Sequence, residues 1–159
     1  MLYIEAPAYP GFGTIREWRK TVFLAGSITN AIDWQKETAK TLLNAGFTVF
    51  NPRRESFDVN NENAEREQIT WEHYFLTTAE IILFYFSYET LAPISLLELG
   101  ATLERAKIEQ YKKIYIAIHP EYKRKNDVII QTELRNSKFA KNITFNLDQT
   151  IQQIIQENK

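Results

Sequence analysis

With 159 residues, 44% of them hydrophobic and 25% charged, the chain suits one domain with a real core and is short for two. A formal net charge of −1 argues against long nucleic acid as a partner, because binding a phosphate backbone draws on a basic excess; a single nucleotide stays open. The lack of cysteine excludes a disulfide framework, thiolate zinc sites and thiol catalysis. No basic-apolar leader opens the chain, and no apolar run approaches the ~20 residues that span a bilayer, so a cytoplasmic protein is expected.

Residues 1–20, with Pro7, Pro10, Gly11 and Gly13, read as an irregular lead-in carrying a short strand at Leu2–Ile4; residues 21–159 read as the single domain. Val22 to Ala25 is a short apolar run stopped by Gly26-Ser27, hence a buried strand. Asp33 to Ala45 has helical spacing and ends at Gly46. Phe47 to Phe50 is a second strand, stopped by Asn51-Pro52, and a polar loop from Arg53 to Glu65 contains Asn60, Asn61 and Asn63. A helix is expected from Glu65 to Ala79. The apolar run Ile81–Phe86 then predicts a strand covered on both faces. A loop leads to a helix from about Leu96 to Lys107, followed by a strand at Ile114–Ile118. The tail reads as a fifth strand at Asn142–Phe145 and a helix over Asp148–Glu157 capped by Asp148.

This alternation predicts an α/β fold with a parallel five-stranded sheet. Ligands in such folds bind outside the carboxyl ends of the strands. Four loops are singled out by that rule: Gly26–Asp33, Asn51–Asn60, Phe86–Ser95 and His119–Asn126.

Ser95-x-x-Glu98 has the form of a capping box, in which both side chains satisfy free backbone N–H groups. The same placement puts the Glu98 carboxylate in a helix's first turn, where the dipole favours its charged form and would ready it as a nucleophile. Gly26-Ser27 offers backbone N–H groups and a hydroxyl after a strand, or only a turn; it is neither a dinucleotide fingerprint nor a Walker loop. Arg53-Arg54 is equally an anion site or a solvated pair. Gln68, Trp71 and Glu72 share a helical face, with Trp71 suited to the core and Glu72 to a second active-site carboxylate. His73 and His119 lack companions at ligand spacing, so no metal site is expected, and no cofactor.

Taken in order, VFLAGSI (Val22–Ile28), DWQ (Asp33–Gln35), NPRR (Asn51–Arg54), Q-x-x-WE (Gln68–Glu72), the strand Ile81–Phe86 and PISLLELG (Pro93–Gly100) resemble the nucleoside 2-deoxyribosyltransferase superfamily, over roughly Thr21 to Ile118. The resemblance implies a flavodoxin-like three-layer sandwich, with Glu98 as the nucleophile and Gly26 and Ser27 at the sugar or its phosphate. It also implies an acidic residue eight positions before the one that opens the third strand; Glu72 stands eight before Glu80. Two departures stand out. Ala79-Glu80 replaces Ala-Asp, and Ala92 occupies the position where the transferases proper carry an acidic base contact and the nucleotide hydrolases tend to carry serine.

The implied chemistry is retaining cleavage of the N-glycosidic bond of a (deoxy)nucleoside. The 2-deoxyribosyl group passes to another free base through a covalent glycosyl-Glu98 intermediate, with Glu72 as the acid. Trp34, Trp71 or Phe86 would stack on the base, Arg53 or Arg54 would hold any 5′-phosphate, and Asn51, Gln68 and Ser95 complete the expected contacts. Hydrolysis of a nucleoside 5′-monophosphate, or nucleotide binding without turnover, are the alternatives. The resemblance also implies a homo-oligomer.

Overall fold

The computed structural model describes residues 1–11, 19–56 and 61–159. Gly13 and Asn60, and the irregular readings across 12–18 and 57–60, lie outside the described residues. The elements run β1 (Tyr3–Glu5), β2 (Thr21–Gly26), α1 (Trp34–Asn44), β3 (Thr48–Asn51), α2 (Ala64–Thr78), β4 (Ile81–Phe86), α3 (Pro93–Arg105), β5 (Lys113–Ile118), α4 (Lys125–Asn136), a 3₁₀ segment (Ser137–Asn142), β6 (Ile143–Thr144) and α5 (Leu147–Glu157).

The sheet is parallel throughout, in the order β1-β3-β2-β4-β5-β6. It has six strands where five were expected. The sixth is β1, which falls on the short strand expected at Leu2–Ile4; it joins the sheet by pairing with β3 in the register Tyr3↔Val49 and extends the edge. The remaining five follow the flavodoxin-like order, in which the chain starts at a central strand, adds a neighbour on one side and then reverses. That reversal falls between β2 and β4.

Strand side chains alternate between two cores, as a period of two requires. Phe23, Ala25, Ile82, Phe84 and Phe86 face α2, α3 and α4, packing with Trp71, Phe75, Leu99, Leu103 and Val128. Val22, Leu24, Leu83 and Tyr85 face α1 and α5, packing with Trp34, Leu42, Ile151 and Ile154. Central β4 is buried along its whole length, which accounts for its unbroken apolar sequence.

Local signals set several boundaries. Asp33 caps α1 by accepting from Lys36 N at 3.2 Å. Gly46, at φ +90°, ends that helix in a Schellman motif: Phe47 N donates to Leu42 O and Gly46 N to Leu43 O. Three expectations are corrected. The cap of α5 is Asn146, accepting from Gln149 N at 3.0 Å, so Asp148 lies inside the first turn. Helix α4 stands where no element was predicted, because only Val128 and Thr132 of its residues are buried and its periodic signal is thin. Finally, α3 begins at Pro93 rather than near Leu96. Proline suits the first helical position, since its missing N–H would be unpaired there anyway. Among the described residues, no helix is long and apolar enough to cross a membrane.

Candidate active site

The site forms where the sheet order reverses. Strand β2 ends in Ala25-Gly26, and Gly26 is fixed as glycine by its surroundings: a Cβ there would stand 2.4 Å from Tyr85 O and 2.8 Å from Trp34 Cζ2, at φ +155°. The next residue, Ser27, is held by its carbonyl, which accepts from Trp34 Nε1 at 3.1 Å and Gln35 Nε2 at 3.2 Å. Ser27 is 4% exposed, and its buried hydroxyl finds no partner among the described residues.

Ser27 lines a cavity of about 340 Å³, at the small end of the range for ligand pockets. Phe23, Ala25 and Gly26 of β2 form one wall, continued by Ile28 and Thr29. Thr90 and Ala92 come from the loop after β4, Pro93, Ile94, Ser95 and Glu98 from α3, Glu72 from α2, and Pro52 from the turn after β3. The loop rule thus located most of the lining. Phe23 escaped it because it lies within a strand; the signal that could have found it is its shared face with Ala25.

The start of α3 changes the setting of Glu98. Ala92, at φ +45°, occupies the cap position and makes no side-chain cap bond. Ser95 is therefore the third helical residue and Glu98 the sixth. The capping box is not formed, and α3 has no acidic residue in its first turn. The dipole benefit expected for a charged Glu98 fades within one turn. Burial and the neighbouring charge of Glu72 act the other way and push the Glu98 carboxyl up to about 8.

Burial raises Glu72 as well, but its surroundings pull back. Gln68 Nε2 donates to Glu72 Oε1 at 2.7 Å, and the Arg54 charge stands nearby. At Glu98 the charge of Glu72 adds to burial, which is the larger cause of the rise. The direction of the imbalance is clear: the charged form is better supported at Glu72 and the neutral form at Glu98.

The other predicted residues are placed around this centre rather than in it. Gln68 also donates to Pro52 O at 2.7 Å and accepts from Arg54 Nε. Arg54 reaches Glu67 as well, at 3.3 Å. The Arg53 guanidinium donates to Ile32 O at 2.9 Å and Ala31 O at 3.1 Å, fastening the loop after β2. Asn51 donates to the Tyr3 hydroxyl and accepts from Arg53 N, so it joins β1 to β3. The three aromatics proposed to stack on a base do not line the cavity. Trp34 lies in the α1 face against Tyr85. Trp71, 0% exposed, packs on Phe23 and Phe75 and donates to Ala8 O. Phe86, also 0% exposed, packs between Phe84 and Tyr122. The structure thus brings Gly26, Ser27, Glu72, Ser95 and Glu98 into one cavity, and Trp34, Gln68 and Arg53 buttress its walls.

No curated protein matches the chain. A family model described as nucleoside 2-deoxyribosyltransferase like matches residues 19–122. That stretch runs from just before β2 to just past β5 and contains every residue that lines the cavity. On a match over more than half its length, the chain belongs to the nucleoside 2-deoxyribosyltransferase-like family.

Proposed function

We propose that the protein cleaves the N-glycosidic bond of a 2-deoxynucleoside and passes the sugar to a second base through an ester on Glu98. One observation carries the reading: two carboxyls, Glu72 and Glu98, line one cavity of about 340 Å³ at the reversal point of the sheet. Retaining glycoside cleavage uses two such groups, one as nucleophile and one as acid then base. Here a Glu98 oxygen bonds C1′ as the C1′–N bond breaks, and the electrons of that bond leave with the base. Glu72 delivers the proton that the departing base needs. The second base attacks C1′ of the ester and returns a proton to Glu72.

The unpaired Ser27 hydroxyl suits a sugar oxygen, since a buried hydroxyl without a partner is costly. Arg53 and Arg54 are both engaged with protein groups, which favours an unphosphorylated nucleoside over a 5′-monophosphate. Incubation with a deoxynucleoside, with and without a second free base, tests the proposal. Exchange product that appears only with the second base is expected. Free sugar in both incubations would identify a hydrolase. Glu98→Ala is expected to lower exchange by at least about 10³-fold, the scale of losing a nucleophile; exchange at the wild-type rate would sink the assignment.

A further inference from the structure

Glu98 accepts no hydrogen bond from the described residues, whereas Glu72 is gripped. Gln68 lies one turn earlier on α2, and the two N–H groups of its amide are both committed, to Glu72 Oε1 and to the Pro52 carbonyl, each at 2.7 Å. Its amide oxygen is committed too, as acceptor for Arg54 Nε. An amide can in principle present either end to a neighbour. A guanidinium donor on one side and a carbonyl acceptor on the other remove that freedom, because reversal would set donor against donor and oxygen against oxygen. The end of Gln68 that faces Glu72 can therefore only donate, and a donated hydrogen bond supports a carboxylate over a carboxylic acid.

The charges that bear on the pair are few. Arg54, from the turn after β3, faces Glu72 and also binds Glu67; Glu98 faces Glu72 from α3; Glu72 is the charge that bears on Glu98.

We propose that Gln68, locked by Arg54 and the Pro52 carbonyl, is a positioning residue that keeps Glu72 ionised and the pair's one proton on Glu98 until substrate is bound. This rests on the glycosyl-transfer reading above. Cleavage then needs no proton from solvent. The proton passes from Glu98 to Glu72 and on to the base nitrogen as the C1′–N bond breaks. The Glu98 oxygen, now anionic, forms the bond to C1′. Attack by the second base runs the same transfers backwards and restores the proton to Glu98.

Titration of the full chain with ¹³C-carboxyl glutamate, followed by NMR without substrate, reads the two carboxyls separately. Wild type is expected to ionise Glu72 first and Glu98 last, near 8. In Gln68→Met the Glu72 midpoint is expected to rise by about one pH unit, the scale of one hydrogen bond to a charged group. The pH profile of kcat/KM is expected to move to higher pH with it. Gln68→Glu, which keeps the size of the side chain but replaces its donor by a second acceptor facing Glu72, is expected to raise the Glu72 midpoint further; it carries the test if Gln68→Met does not fold. Unchanged midpoints in the variants, or Glu98 ionising first in wild type, would overturn the role of Gln68. The titration needs no turnover. A protein with the expected midpoints and no base exchange overturns the proposed reaction alone, and unchanged midpoints in an active protein overturn Gln68 alone.

Discussion

At the amino ends of the strands, Glu80 accepts from Lys20 N at 2.7 Å and Lys113 Nζ at 2.8 Å, while its own N–H donates to Thr21 Oγ1. Lys113 continues to Asn158, which donates to the Tyr115 hydroxyl, and Tyr115 donates to Glu157. That chain of bonds ties β2, β4, β5 and α5 together. At the carboxyl ends, Ser27 Oγ after β2 and Ser87 Oγ and Glu89 Oε2 after β4 are buried without a partner among the described residues. Among the described residues the two edges thus differ in degree: the amino edge leaves Glu109 Oε2 buried without a partner, before β5, and the carboxyl edge leaves more such groups for something else. Unmatched buried polar groups cost stability, so their concentration at one edge is an argument for a ligand there. Substitutions at the two edges should then separate stability from activity.

The largest effect on stability is expected at the amino edge. Lys112 is 1% exposed, and its ammonium donates to the carbonyls of Leu76, Thr77 and Ala79, where α2 ends. A cation there also meets the negative end of the helix dipole. Burial pulls its pKa down to about 8. Lys112→Met keeps the aliphatic stem and strips three carbonyls of their donor. A loss of about 3 kcal/mol is expected in urea unfolding, as for breaking a buried charged hydrogen-bond cluster. Base exchange per folded molecule should stay at the wild-type level. A fall in exchange would show that α2 transmits strain from its end to Glu72, and the separation of the edges would fail.

Glu98→Gln should do the reverse, adding stability while removing activity. The folded-state value of Glu98 lies at about 8 against an ordinary 4.5. Between those values the folded protein holds more proton than the unfolded chain, so stability falls as pH rises through the window. The contribution is fully present below the ordinary value and lost above the folded one. Glutamine carries no such penalty. At about pH 8 the variant is expected to be roughly 2 kcal/mol more stable than wild type, a figure discounted for partial exposure, and near equality is expected at about pH 4. Denaturant midpoints measured across that range check it. A variant that kept the wild-type slope would assign the slope to other groups.

The sequence exposed best what short-range chemistry decides. Ile81–Phe86 is a strand over the range its apolar run marks out, and Asp33 and Gly46 bound α1 as their side chain and φ demand. Ser95-x-x-Glu98 misled because Pro93, suited to the first helical position, starts α3 two residues earlier, with Ala92 at the cap. The error mattered beyond the helix boundary, since it removed the dipole support expected for a charged Glu98, which burial and the Glu72 charge oppose. The fate of Arg53 and Arg54 was not legible, because their partners Ile32, Ala31 and Gln68 come from other segments. Nor did composition reveal that Trp34 faces α1 and α5 while Trp71 fills the opposite core; that depends on which helix packs on which face. The cavity's company was legible because the loop rule rests on topology, which the alternation of elements already implies.

The smallest effect concerns the back of the helix that carries Glu98. Gly100 lies within α3, and a Cβ built there meets no atom within 4 Å. It opens on a groove of about 310 Å³ between α3 and α4, lined by Leu96, Leu99, Leu103 and Val128. A glycine inside a helix costs about 1 kcal/mol relative to alanine through backbone entropy, and no close contact requires it here. Gly100→Ala is therefore expected to raise stability by somewhat under that amount, about 0.5–1 kcal/mol, read as a higher Tm. Two residues along a helix turn the side chain about 200° away, so the methyl points away from Glu98 and exchange should be unchanged. A variant with higher Tm and slower exchange would mean that α3 must flex for turnover. The two edges would then be coupled through helix stiffness rather than kept separate.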